Sequence, residues 1–93
     1  MTLNEVIFIE RFPKLDLHGY DRETAKLAIH DYIKDSLKMK QPIFVIVHGN
    51  GSGILRQATH QALKHHKQVI EYKLYNYNNG CTIVRITIWL LNP

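Results

Sequence analysis

Residues 43–56 read Ile-Phe-Val-Ile-Val-His-Gly-Asn-Gly-Ser-Gly-Ile-Leu-Arg, and this stretch limits the fold more than any other. Five apolar residues in a row, all β-branched or aromatic, predict a buried strand rather than an alternating surface strand. Glycines at 49, 51 and 53 follow, and a helical pattern starts at once after them. Strand, glycine loop and helix start together make an anion site. Glycine accepts positive φ and lets bare N–H groups approach a ligand, while the first helical turn adds unpaired donors and the positive end of the helix dipole. The spacing is neither Gly-x-x-x-x-Gly-Lys nor Gly-x-Gly-x-x-Gly, so neither a nucleoside triphosphate nor a dinucleotide follows from it. It predicts a phosphate reader of another kind, with Gly49, Gly51, Ser52, Gly53 and Arg56 as its binding residues and His48 at the strand's end.

Ninety-three residues without a linker, repeat or low-complexity run allow one two-layer domain. We expect residues 1–14 to be an arm or edge strand and residues 15–93 a single domain. The net charge of +4 is unevenly placed. Residues 1–55 hold seven charges of each sign, whereas residues 56–93 hold Arg56, Lys64, Lys67, Lys73 and Arg85 against Glu71 alone. This bias suggests a polyanion partner, with Lys64, Lys67, Lys73 and Arg85 as nucleic-acid contacts, although +4 is also an ordinary solubility charge. The single cysteine, Cys81, allows no internal disulfide and suits a reducing compartment. The first residues lack the basic and apolar regions of a signal peptide, and the run from Ile83 to Leu91 is too short to span a bilayer and is broken by Arg85. The expectation is a cytoplasmic protein with no membrane partner.

Leu3 to Phe12 has no clean period and reads as an arm or edge strand ended by Pro13. Leu15-Asp16-Leu17-His18-Gly19 alternates, which sets the two leucines on one face and Asp16 with His18 on the other. Asp21 is a natural N-cap for a helix from Arg22 to about Met39, whose core stripe is Ala25, Ala28, Ile29, Tyr32, Ile33 and Leu37. The second helix should run from Ile54 to about His66 on Leu55, Ala58, Thr59 and Ala62, with Arg56, His60, Lys64 and Lys67 along a separate, basic face. Val69–Tyr77 and Thr82–Leu90 form an antiparallel pair, joined by the turn residues Asn78-Asn79-Gly80. The order β-α-β-α-β-β predicts a two-layer α/β sandwich with a mixed four-stranded sheet, the first three strands parallel, the last antiparallel, and both helices on one face.

Ligands gather at the carboxyl ends of parallel strands, where this chain carries His18-Gly19 and His48-Gly49. If those strands are neighbours, Asp16, His18 and His48 converge beside the glycine loop as a candidate catalytic set. Histidine titrates near neutrality, and an adjacent carboxylate fixes its tautomer. The bland reading is that strand-end histidines and Asp16 only hold backbone in place. His30, His65 and His66 read as solvated helix positions, and no spacing supports a structural metal site. Trp89, Tyr72, Tyr75 and Tyr77 could stack on bases, though strand aromatics are more often core.

The first motif, followed by His48-Gly49-Asn50-Gly51-Ser52-Gly53-Ile54-Leu55-Arg56 and by Gly80-Cys81-Thr82-Ile83-Val84, resembles the Smr (small MutS-related) domain family over residues 15 to about 90. His18, where relatives fused to MutS-like ATPases often have Arg, and the short chain resemble a stand-alone member. The resemblance implies a fold like the C-terminal domain of bacterial translation initiation factor three and endonuclease activity, by DNA nicking in some members and RNA cleavage in others. It maps implicated residues to Asp16, His18, His48, Gly49, Gly51 and Gly53. The expected function is a nucleic-acid phosphodiesterase, with a loosely held Mg2+ if DNA is the substrate. The alternative is a non-catalytic module that binds RNA, DNA or the ribosome.

Overall fold

A computed structural model describes residues 3, 8–75 and 80–88. The element order is β1 (Lys14–Asp16), α1 (Arg22–Lys38), β2 (Ile43–Val47), α2 (Ile54–Lys64), β3 (Val69–Leu74) and β4 (Cys81–Ile86). The sheet order is β1-β2-β4-β3, with β1 parallel to β2 and β4 antiparallel to both its neighbours. The first three strands therefore point one way and β4 the other, as the sequence predicts, with β4 inserted between β2 and β3. Of the expected hairpin turn, Asn78 and Asn79 lie outside the described residues, as do Tyr77 and Trp89.

Strand alternation splits the apolar residues into two clusters. Leu17, Phe44, Ile46, Val84 and Ile86 meet Ala25, Ile29, Ile33 and Leu37 of α1 and Leu63 of α2 on one face. Ile43, Val45, Tyr75, Cys81 and Ile83 form the other cluster, covered by Leu3 and Ile9. Leu3 and Ile9 thus cover the second sheet face. Among the described residues of the stretch Leu3 to Phe12, expected as an arm or edge strand, Leu3 and Ile9 are core side chains, because a cover over a flat apolar face needs no regular period. The Leu3 N–H also donates to Glu71 Oε1 at 2.9 Å, which holds the Glu71 carboxyl below its ordinary range, helped by Arg85 at 3.1 Å.

Helix α1 begins as expected. The Asp21 carboxylate accepts the Thr24 N–H at 2.8 Å and Thr24 Oγ1 accepts the Asp21 N–H at 3.2 Å, a reciprocal capping box. Helix α2 is shorter than its periodicity suggests, since His65 is already its C-cap. Its deepest side chains are Ala58, Thr59 and Leu63, with Leu55 and Ala62 only partly buried. Both helices follow strands of the same direction and lie on the same face, so their N-termini gather at the carboxyl ends of β1 and β2.

Candidate functional site

At the end of β1 the chain reverses in four residues. The Tyr20 N–H donates to the Leu17 carbonyl at 3.0 Å, and Gly19 has φ +81 at the third position, as a type II turn requires. Asp16 Oδ1 accepts the His18 N–H at 2.9 Å, which pins His18 at the turn's tip with its side chain exposed. At the end of β2, the His48 and Gly49 N–H groups both donate to the Gly80 carbonyl, at 2.9 and 3.0 Å. The glycine loop is therefore hung from the start of β4. Gly49 (φ +84) and Gly53 (φ +89) occupy the left-handed region; Gly51 does not, contrary to a reading in which all three glycines serve that purpose.

Helix α2 has Gly53 as N-cap, no side-chain cap bond and no acidic residue in its first turn. Arg56 lies in that turn, and its Nη2 lies 3.5 Å from the point where a Cβ on Gly53 would stand. A cation beside the positive end of a helix dipole is unfavourable unless an anion joins them. Two cavities adjoin this corner. The inner one, of about 270 Å³, is lined by Asp16, His18, Gly19, Val47, His48, Gly49 and Leu55. The outer one, of about 460 Å³, runs between the two helix starts and shares His48 and Leu55 with the first. Asp16, His18 and His48 are thus brought to one cavity. They reach it from different sides: Asp16 is in register with Val47 on the second sheet face, while His48, one residue on, turns to the helix face.

His48 is 7% exposed, and both its ring nitrogens are engaged. Nδ1 is 3.1 Å from the Gly49 carbonyl, and Nε2 is 2.8 Å from Thr82 Oγ1. The same hydroxyl is 2.8 Å from His60 Nε2. A hydroxyl has one proton, so one neutral arrangement satisfies every group: His48 Nδ1–H donates to Gly49, Thr82 O–H donates to His48 Nε2, and His60 Nε2–H donates to Thr82. Burial pushes the pKa of both imidazoles below their ordinary value, and Arg56 adds repulsion to each. His60 also faces Tyr72 at 5.3 Å between ring centroids.

His60 therefore leaves the solvated basic face assigned to it and enters the site, together with Thr82. Neither was recognisable from its own segment, because the contact joins α2 to β4 across 22 positions. The remaining basic residues do not form one surface. Lys64 ends α2, whereas Lys73 and Arg85 are in register with Ile83 and Glu71, on the sheet face away from the helices, where Arg85 is paired with Glu71. Lys67 lies past the helix end. His66 is half-buried rather than solvated, 5.5 Å from the His30 ring, while His30 and His65 are exposed. Tyr75 is core and Tyr72 packs against the main cluster, which leaves neither as an open stacking surface.

The Smr domain family model matches residues 15–87, from the first strand-end motif through β4. The chain belongs to the Smr family. It is 37% identical over 75 residues to the endonuclease MutS2 of Clostridium novyi, covering 77% of this chain, and 38% identical over 76 residues to that of Clostridium botulinum strain Eklund 17B, covering 78%. It spans about a tenth of the length of these relatives. The crystal structure of the Smr domain of Thermus thermophilus MutS2 superposes with a TM-score of 0.78 at 26% identity, over 81% of this chain and 98% of that one. YdaL, a stand-alone small MutS-related protein from Escherichia coli, shares the fold, with a TM-score of 0.72 at 19% identity over 83% of this chain and 68% of that one. Among the described residues of this Smr domain, no helix is long and apolar enough to cross a membrane.

Proposed function

We propose that this Smr domain is a nucleic-acid phosphodiesterase whose scissile phosphate sits at the Gly49–Gly53 loop. The observation that carries this reading is the start of α2, where the N-cap Gly53 offers no side-chain cap, Ser52 Oγ meets only the Ile54 N–H at 3.4 Å and Arg56 lies in the first turn, beside a cavity lined by Asp16, His18 and His48. Gly49, Gly51, Ser52 and Gly53 supply close backbone approach, and Arg56 offers a two-pronged donor to phosphate oxygens. The naming of full-length relatives as endonucleases agrees with this chemistry.

Asp16 and His18 are the exposed groups that meet the substrate. Asp16 holds the His18 backbone and would also hold a Mg2+, which would neutralise phosphate charge and lower the pKa of a water on DNA. His18 gives a proton to the leaving oxygen. His48, kept neutral by burial, is the base, and the Thr82 chain makes this possible. If both hydrogen bonds reverse while His48 Nδ1 gives up its proton to water and His60 Nδ1 takes one up, His48 Nε2–H donates to Thr82, Thr82 donates to His60 Nε2, and the lone pair of His48 lies at Nδ1, beside the loop. Lys64, Lys67, Lys73 and Arg85 were expected as nucleic-acid contacts; Lys64, at the end of α2, is the one on the helix that the phosphate loop opens.

The test is cleavage of a supercoiled plasmid and of a structured RNA, each with Mg2+ and with excess chelator, beside folded Asp16→Asn, His18→Ala and His48→Ala variants. Acid–base catalysis on RNA survives the chelator, has a bell-shaped pH profile and leaves a 2′,3′-cyclic phosphate, since the 2′-hydroxyl attacks. DNA nicking is lost with the chelator and with Asp16→Asn. Tight binding without cleavage of either substrate would instead make this a DNA-, RNA- or ribosome-binding module.

A further inference from the structure

Two large apolar side chains stand uncovered beside the phosphate loop. Tyr20 is 41% exposed and Ile54 is 47% exposed, and both line the outer cavity. They come from separate segments: Tyr20 ends the turn after β1, and Ile54 opens α2. The cavity is about 460 Å³, within the size range of sites that hold one small-molecule-sized group. Gly51, Ser52 and Gly53 of the phosphate loop form one side of it, and it adjoins the inner cavity through His48 and Leu55. Polar groups at its margin are Arg22, Ser52, His48 and Asp21, whose carboxylate is engaged by the Thr24 N–H and hydroxyl. An aromatic wall, an aliphatic wall and polar margins beside a phosphate grip are the chemistry of a nucleobase.

We propose that the outer cavity is a nucleobase subsite, with Tyr20 as its stacking platform, and that the domain selects nucleic acid carrying an unpaired nucleotide next to the gripped phosphate. This rests on the phosphate-loop assignment above. In a duplex each base is covered by its stacked neighbours, so entry into a side cavity requires unpairing and unstacking, which costs a few kcal/mol. Single strands, loops and junctions have already met that cost. Stacking on an aromatic tolerates any base, so the cavity selects for unpaired structure more than for sequence. Tyr20 was invisible as a site residue in the sequence because a lone aromatic in a turn has no motif.

Fluorescence anisotropy in chelator, at one fixed salt concentration, decides the matter with three labelled probes: a single-stranded DNA decamer, a decamer of abasic sugar phosphates and a blunt ten-base-pair duplex. The wild type should bind the single strand about tenfold or more tightly than the abasic decamer and the duplex. Tyr20→Ala should erase that preference and leave abasic binding unchanged, and Tyr20→Phe should keep it. The Tyr20 hydrogen bond to Leu17 is made by the backbone, so both variants retain the turn. Equal binding of all three probes by the wild type, or an undiminished preference in Tyr20→Ala, overturns the base subsite while the phosphate reading stands. Arg56→Ala tests that reading separately by its loss of abasic binding. A wild type that binds none of the probes overturns both.

Discussion

Gly49, Gly51 and Gly53 look equivalent in the sequence, but their backbone angles separate them. A Cβ at Gly53 would meet only Arg56 Nη2 at 3.5 Å, an ordinary contact, so the penalty of substitution there comes from φ +89 alone. Left-handed backbone costs a non-glycine residue roughly 1–2 kcal/mol. Gly53→Ala should therefore lose about that much stability in urea unfolding, and Gly51→Ala, in open space and without positive φ, less than about 0.5 kcal/mol. Equal losses at the two positions would contradict the loop geometry. The alternating glycines were legible as a loop. Which of them needs to be glycine was not, because φ depends on how Gly80 holds the start of the loop and on how Gly53 enters α2.

At the scale of elements, the shared Thr82 hydroxyl ties the carboxyl end of β2 to β4 and α2. Valine fills nearly the same space as threonine but leaves Nε2 of both His48 and His60 without a partner. A buried polar group left unpaired costs about 1–3 kcal/mol. Thr82→Val should thus lower stability by at least ~2 kcal/mol, with Thr82→Ser, which keeps the hydroxyl, losing less than about 1 kcal/mol. If the chain also sets the tautomer of His48, His60→Ala should lower turnover at unchanged substrate affinity and shift the acidic limb of the pH profile, which the base controls. A Thr82→Val variant as stable as the wild type would show that the hydroxyl is not the link. The elements themselves were read correctly in order and type, with ends off by a few residues. The Asp21 cap and the α1 stripe were plain because both are local patterns.

The whole molecule carries a pH dependence of stability that follows from three partly buried imidazoles. Burial pushes the pKa of His48, His60 and His66 below the ordinary 6.5, with His30 and Lys67 adding to the effect at His66. The unfolded chain then binds more protons than the folded one just below pH 6.5. Their contribution is full above that pH and is lost as the pH falls through the folded values. Asp21 and Glu71 shift downward from 3.8 and 4.5, so their losses belong to lower pH. Unfolding free energy measured in urea should fall between pH 7.5 and 5, and His66→Gln, remote from the cleft, should flatten the slope. A free energy constant over that range would mean that the histidines stay accessible to protons.

Local physics, by itself, determined much of this protein. Five consecutive apolar residues required a buried strand, alternation set Asp16 apart from Leu15 and Leu17, and capping chemistry started α1 at Arg22. The same logic placed Asp16, His18, His48 and the glycine loop at strand carboxyl ends, while the pairing of β1 with β2 in the tertiary structure made those ends neighbours. Only the tertiary structure decided that Leu3 and Ile9 cover the second sheet face, that Lys73 and Arg85 lie away from the helix layer, and that His60 leaves a solvated stripe to share a hydroxyl with His48. Each of these depends on the position of β4 between β2 and β3. That insertion joins residues far apart in the chain, and no periodicity within a segment encodes which distant segment will be its neighbour.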